Sequence, residues 1–500
     1  MIPNCIILPT VNIVVVESED IMDRRTFLVM SSGVVVGLNM PWARRAAAQP
    51  DVIEPFKISL AEWSLNRALA AKKLTHMDFP KTAKCDYEID CIELVDQFFA
   101  TKSKDMNYLK AFKQRADDEG VRIGLIMLDT NGPLGSPDKA RRDKAVDQTF
   151  PWIDAARFFG ARTIRVNARG SDDPNVLRSG IVESCARLAE YASALGINIT
   201  IENHGGPSSD PQWLAGVMKE VGKANFGTLP DFGNFPADTN RYDAVEALLP
   251  YAKAVSAKAT QFSADGQITD TDFRRMLRIV RDGGYTGYVG VESAPPSADE
   301  EPAAIRITRD ILKRIREEQQ RCVPIFNGKS LEGWSLVEGG EWTVEDGALV
   351  GRNGKNWSTD PEKTGSWLRT NQEYGDFRLE LQYSINEGGN SGVFFRSALE
   401  KNPAFTGYEM QIVDAFGQPP NKQSATAIYD VVAPMKNLVR PAGQWNTVTI
   451  IAKGPKIAFE MNGENVLEAE LDRSLRGYIG LQNHDAHAVA KFRNIRIEAL

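Results

Sequence analysis

Long apolar runs are scarce in this 500-residue chain, and past its N-terminal region no segment reaches the ~20 apolar residues that a bilayer span needs, so no stable membrane span is expected. Cysteine is nearly absent. Its five residues form no C-x-x-C pair, which leaves neither a zinc knuckle nor a redox motif to consider. Cys91 and Cys185 lie inside apolar periodic segments and read as buried thiols. A basic stripe with interleaved aromatics is also missing: lysine and arginine are dispersed and the formal net charge is -7, so no nucleic-acid partner is expected. No Gly-x-Gly-x-x-Gly fingerprint follows a strand, which argues against a nucleotide cofactor and against oxidation of a substrate by this chain itself. What remains is 42% hydrophobic and 25% charged, the make-up of an ordinary globular protein, and at about 150 residues per domain it suggests two to four domains with small-molecule partners.

Near the N-terminus, paired arginines in Met22-Asp23-Arg24-Arg25-Thr26-Phe27-Leu28 precede an apolar stretch to about Met40 and then Arg44-Arg45-Ala46-Ala47-Ala48. This reads as an export signal of the twin-arginine type over residues 1–48, with Met22 as the expected start, Cys5 lost on cleavage and the mature protein periplasmic or secreted.

From residue 52 to 320 short apolar strands alternate with amphipathic helices at a regular spacing. Strands are expected over 57–61, 88–94, 122–128, 163–167, 198–202, 227–231, 254–258 and 288–292, with helices between them such as 181–195 and a last one near 302–320. Eight strand-helix units over this length predict a (β/α)8 TIM barrel, whose chemistry belongs at the C-terminal ends of its strands. Past Cys322-Val323-Pro324 the period changes to two, with Asn-Gly turns and dense aromatics, which predicts an antiparallel β-sandwich over 325–500 packed close to the barrel.

The barrel strand ends carry mostly acids. Ile199-Thr200-Ile201-Glu202-Asn203-His204-Gly205-Gly206 puts a carboxylate and an imidazole on one face where a strand stops, and Asp231 and Glu292 close later strands. Several carboxylates facing one cavity repel one another unless a cation sits among them or some stay protonated, so a divalent metal ion is the economical inference. Trp63, Glu93, Asn167 and Asn234 stand at the other strand ends as candidate substrate contacts, Trp63 for stacking on a sugar face.

These residues resemble the xylose-isomerase-like barrels of the sugar isomerase and epimerase superfamily. "ITIENHGG", "GTLPDFGNF" and "GYVGVES" match the family's metal-ligand strands at Glu202, Asp231 and Glu292. The family's histidine on the seventh strand falls at Ser256, and the histidine often found just after the aspartate is replaced by Asn234. His204, Gln261 or water could complete the shell, or Lys258, on the same face as Ser256, could supply the positive charge itself. The resemblance implies proton abstraction next to a carbonyl, with Glu202 or Glu292 as the base and a metal or Lys258 neutralising the enediolate oxygen.

The second half resembles the 3-keto-disaccharide hydrolase domain, a concanavalin-like sandwich, through "IFNGKSLEGW", "GGNSGVFFRS", "GYEMQIVDA", "AIYDVVAP", "GQWNTVTI" and "GYIGLQNHDAHAVAKFRNIRI". Asn390, Arg396, Glu409, Gln411, Asp414, Tyr429 and His484 form a polar set denser than folding requires, suited to binding a sugar. The plainer reading pairs Arg396 with Asp414 structurally and leaves His484 and His487 in solvent. Asp485 stands where the family usually has a glycine after the histidine, a departure that bears on His484.

A ketone at C3 of a glycoside acidifies the C2 proton and leaves the glycosidic oxygen in the β position, so elimination and then hydration give net hydrolysis. The expected activity is cleavage of a 3-keto-glycoside or 3-keto-disaccharide, supplied by a separate sugar 3-oxidoreductase. The alternatives are a keto-sugar isomerase or epimerase with the sandwich as a carbohydrate-binding module, and a non-catalytic sugar-binding protein.

Overall fold

Parallel strands covered by helices are buried on both faces, and the barrel strands show it: Cys91–Val95 and Thr163–Val166 are buried at every position. The computed structural model describes residues 55–500, so the export signal expected over 1–48 lies outside the described residues. The barrel strands are β1 (Lys57–Ala61), β2 (Cys91–Val95), β3 (Arg122–Leu128), β4 (Thr163–Val166), β5 (Asn198–Glu202), β6 (Phe226–Leu229), β7 (Val255–Ala259) and β8 (Tyr288–Ser293). All their pairings are parallel, in the order β6-β5-β4-β3-β2-β1-β8-β7.

Closure falls between β6 and β7. β6 stops at Leu229, earlier than the sequence pattern suggests, because Pro230 has no N–H to continue a ladder. Its carbonyl instead accepts from Ser256 N–H at 3.0 Å, and Phe232 N–H donates to Ser256 O at 3.1 Å. A parallel bridge therefore sets Asp231 directly beside Ser256. This irregular seam brings two site positions together that no regular strand pairing joins.

Aspartates start the outer helices. Asp138, Asp173, Asp210 and Asp272 each accept from backbone N–H groups of Lys139–Phe159, Pro174–Ser193, Pro211–Val221 and Phe273–Asp282. The cap at Asp173 explains why the helix expected over 181–195 begins about two turns early. Glu301–Arg321 is the last barrel helix, and Val323–Pro324 already pairs with Ile497 and Arg496 of the sandwich. Only Cys322 separates the two elements.

The sandwich sets a five-stranded antiparallel sheet against an eight-stranded one. The smaller runs Trp334–Val337, Trp367–Tyr374, Gly477–Gln482, Asn390–Ser397, Tyr408–Val413 in spatial order. Leu379, Leu381, Phe395, Tyr408, Met410, Phe459 and Phe492 fill the space between the sheets. Helix Phe273–Asp282 lies against the sandwich through its arginines. Arg281 Nη2 meets Glu380 Oε2 at 2.7 Å, and Arg278 Nη1 donates to Thr449 Oγ1 at 2.8 Å. Cys91, Cys185 and Cys322 are buried thiols, Cys85 is exposed and none is in a disulfide. Among the described residues no helix is long and apolar enough to cross a membrane.

Candidate functional site

Two polar sites stand out, one in each domain. In the barrel, Glu202 ends β5, Asp231 follows β6 at the closure seam and Glu292 lies on β8, and one carboxylate oxygen from each falls within 4.8 Å of the others. All three are buried. Lys258 Nζ contacts Glu292 Oε1 at 2.8 Å, and Arg165 Nε lies 2.8 Å from Glu202 Oε2. Arg165 Nη1 also donates to Asp129 Oδ1 at 2.7 Å. Asn234 Nδ2 donates to Glu202 Oε1 at 2.8 Å, and Ser256 Oγ donates to Asp231 Oδ2 at 2.6 Å and lies 3.2 Å from Glu292 Oε2.

Charge is divided unevenly among these acids. Burial pushes Glu202 and Asp231 up to about 7, beyond what Arg165 and Lys258 offset. Burial works against Glu292 as well, but there the charge and hydrogen bond of Lys258 prevail and hold the carboxyl below its ordinary range. Burial opposes the charge of Lys258 in turn, and Glu292, Asp231 and Glu202 outweigh it, so the ammonium stays protonated.

The other barrel candidates divide. Asn167 sits at the mouth, donating from Nδ2 to Asp129 Oδ1 at 2.7 Å while its buried Oδ1 has no partner. Trp63 is half-buried at the same end, its ring 6.4 Å from that of Phe98. Glu93 is displaced from the role of substrate contact. Its carboxyl accepts from Ser59 Oγ at 2.6 Å and fills the space that a side chain at Gly290 would need, one layer below Glu292, beside a cavity of about 640 Å³ at the N-terminal end of the barrel. Burial pushes it up to about 7. His204 does not converge with the acids either: it is exposed, with Nδ1 3.4 Å from Arg169 Nη2, and it stays near enough for its charge to act on Glu292. Arg165 is the residue that sequence reasoning missed. Its signal was a lone charge in the apolar strand "TIRV", two positions before Asn167 and so on the same face.

As a divalent-metal centre the donor set is incomplete. Three converging carboxylates are right for a hard cation, but Ser256 spends its one hydroxyl hydrogen on Asp231 and His204 is not among the converging ligands.

In the sandwich, Glu409 and Gln411 alternate with the core residues Tyr408, Met410 and Ile412, so both point off the outer face of the five-stranded sheet. They line a pocket of about 390 Å³ with Asn390, Tyr429, Gln482, His484 and Trp357. Glu409 Oε1 occupies the space of the missing side chain at Gly392, and a Cβ there would come within 2.1 Å of it. Burial pushes Glu409 up to about 8, with a hydrogen bond from Gln482 only partly offsetting it, so the acid keeps its proton at neutral pH. His484 Nδ1 bonds Asp485 Oδ2 at 2.7 Å. That pairing orients the ring and leaves Nε2 as the nitrogen able to take a proton. Two buried amide oxygens in the wall, Asn390 Oδ1 and Gln482 Oε1, have no partner, as acceptors awaiting hydroxyl groups would.

Arg396 does not belong to this pocket. Period two from Asn390 would put it on the pocket face, but pairing with Gly477–Gln482 shifts register between Phe394 and Ser397, and Arg396 takes a left-handed φ of 53°. The bulge turns the side chain to Gly375 O at 2.9 Å, Gly454 O at 2.7 Å and Asp376 at 3.0 Å, all structural contacts. Asp414 accepts from Gly388 N–H at 3.0 Å and braces the turn before Asn390, outside the pocket and unpaired with Arg396. Trp357 and Gln482 were missed; Gln482 could have been found as the polar residue that closes the apolar strand "GYIGLQ".

Comparison with known proteins agrees with this division. Residues 82–315 match the xylose isomerase-like TIM barrel model, and residues 321–498 match the 3-keto-alpha-glucoside-1,2-lyase-like domain. Each of the two domains thus matches a different family model. A 3-keto-disaccharide hydrolase of Bacteroides thetaiotaomicron is 26% identical over 230 residues, covering 36% of this chain and 78% of that protein. An L-ribulose-5-phosphate 3-epimerase of Escherichia coli is 22% identical over 260 residues, covering 48% of this chain and 88% of its own length. Among solved structures, a xylose isomerase-like TIM barrel protein from Mycobacterium smegmatis in complex with magnesium is 19% identical, with a TM-score of 0.40, covering 53% of this chain and 97% of that one.

Proposed function

We propose that this carbohydrate-active enzyme cleaves 3-keto-glycosides, and that elimination takes place in the sandwich pocket. The observation that carries the reading is the pairing of a neutral buried acid, Glu409, with a histidine oriented by Asp485 in one polar pocket. The 3-keto-disaccharide hydrolase named above supports it for this half of the chain.

The two groups suit opposite ends of one proton transfer. The protonated carboxyl of Glu409 donates a hydrogen bond to the C3 ketone oxygen, where negative charge grows as C2 loses its proton. His484 takes that proton at Nε2. The C1–O bond then breaks as the C1–C2 double bond forms, and the imidazolium returns the proton to the departing oxygen. Water adding across the double bond completes net hydrolysis. Asn390 Oδ1 and Gln482 Oε1 accept from sugar hydroxyls and hold the ring.

The barrel acids suit enolate chemistry on the same keto-sugars, with Glu202 or Glu292 moving a proton and Lys258 facing the enediolate oxygen. The 3-epimerase relative and the convergent carboxylates favour a second reading, in which the barrel isomerises or epimerises a keto-sugar and the sandwich only binds it. A separate oxidoreductase must supply the ketone in either case. The twin-arginine pattern at Arg24-Arg25 supports action in the periplasm, which N-terminal peptide mapping of the exported protein would test.

Incubating the full chain with a 3-keto-disaccharide in D2O separates the readings. Glu409→Gln should lose aglycone release while Glu202→Gln keeps it. Deuterium exchange without release in the parent protein would instead favour the isomerase reading.

A further inference from the structure

The oxygens of the barrel acids already have charged or polar neighbours, although Glu202 Oε2, 2.8 Å from Arg165 Nε, has no hydrogen bond. Glu202 has Asn234 and Arg165, Asp231 has the Ser256 hydroxyl on one oxygen and the N–H groups of Gly233 and Asn234 on the other, each N–H at 2.8 Å, and Glu292 has Lys258 on one oxygen with Ser256 Oγ 3.2 Å from the other. A hard divalent ion takes about six oxygen ligands, some of them water, and the carboxylates among them must be free to turn toward it. Here Ser256 and His204 supply none. The protein provides two positive charges of its own, as many as one divalent ion would carry.

The seat of Lys258 is built for it. Its stem runs past Gly233, where a Cβ would lie 3.1 Å from Lys258 Cγ and Cδ, so the glycine keeps the lysine's path into the cluster uncrowded. The seam between β6 and β7 fixes Asp231 beside Ser256, two residues before Lys258 on the same strand face. One of the three ammonium N–H groups goes to Glu292, and among the described residues no hydrogen bond engages the other two.

We propose that the ammonium of Lys258, backed by the guanidinium of Arg165, takes the place of a divalent ion, and that the barrel works without metal. Only what Lys258 does to a sugar rests on the proposed enolate chemistry; the occupancy of the cation's place rests on the geometry. The free N–H groups of Lys258 then face the substrate oxygen that gains charge.

The test is a Mn²⁺ titration of the full chain after chelation, followed by calorimetry and by melting temperature. The parent protein should bind no stoichiometric Mn²⁺ and melt at the same temperature with or without chelator. Lys258→Met, which empties the place, should gain one Mn²⁺ per chain and an upward shift in melting temperature on adding it. One equivalent bound by the parent protein, lost in Glu202→Gln, would overturn the proposal, as would a folded Lys258→Met that responds to Mn²⁺ no more than its parent. If Lys258→Met does not fold, the parent titration decides alone. Turnover plays no part in these readouts, so failure here leaves the sandwich chemistry standing, and failure of that chemistry leaves the titration valid.

Discussion

The barrel and the sandwich each bury carboxyl groups at a polar site, and they neutralise them by different means. In the barrel, Lys258 and Arg165 set their charges against the acids and hold Glu292 ionised, while burial still raises Glu202 and Asp231 to about 7. In the sandwich, Glu409 has amides and a histidine around it but no cation in the pocket wall, and it keeps its proton. A buried acid must have one or the other, because an unpaired charge costs several kcal/mol in a low-dielectric site. The choice decides the chemistry. A carboxylate held by a neighbouring cation can accept a proton, whereas a neutral acid can donate a hydrogen bond to a carbonyl oxygen.

Removing the barrel cation should have the largest effect. Lys258→Met strands buried carboxylates and should lower stability by about 3–5 kcal/mol, measured by denaturant unfolding. Glu409→Gln keeps the shape and loses the acid. Aglycone release should fall by about 10²–10⁴-fold with stability little changed, as initial rates and unfolding curves would show.

Titration sharpens the same contrast. Glu409 is raised to about 8, so release that depends on its proton should hold below that pH and fall above it, and a rate-pH profile should lose this limb in Glu409→Gln. The stability sign follows from the same shift. Between the unfolded value near 4.5 and about 8 the native state holds a proton that the unfolded chain lacks, so Glu409 makes the fold progressively less stable as pH rises through that window. Glu380, at the contact between the domains, behaves oppositely. Burial raises it, but Arg281 and Arg378 bring it down to about 2, so its contribution is present above the unfolded value and is lost as pH falls toward about 2. The smallest effect should come from Gly233→Ala, which crowds the stem of Lys258 and should cost about 1–3 kcal/mol of stability.

Much of this was legible in the sequence because period and strand ends carry it. β1, β3 and β5 have the bounds that hydrophobic alternation suggests, and the acids expected at the ends of the fifth, sixth and eighth strands converge. Misreadings arose where the backbone leaves its period. The bulge after Phe394 turns Arg396 away from the pocket, and Pro230 ends β6 early. Glu93 has the right period for the barrel interior but the wrong layer, which alternation does not encode. Asp485 was read as a departure that weakened His484, and it instead lies against the imidazole, a contact visible only once the turn is folded.

The measurement closest to the central claim is the titration of the Glu409 carboxyl, followed by infrared difference spectroscopy of the parent protein against Glu409→Gln. A protonated-acid band that disappears near pH 8 and is absent from the variant is the expected result. A Glu409 that ionises in the ordinary carboxylate range would contradict the account, since it would leave the sandwich pocket without an acid for the ketone.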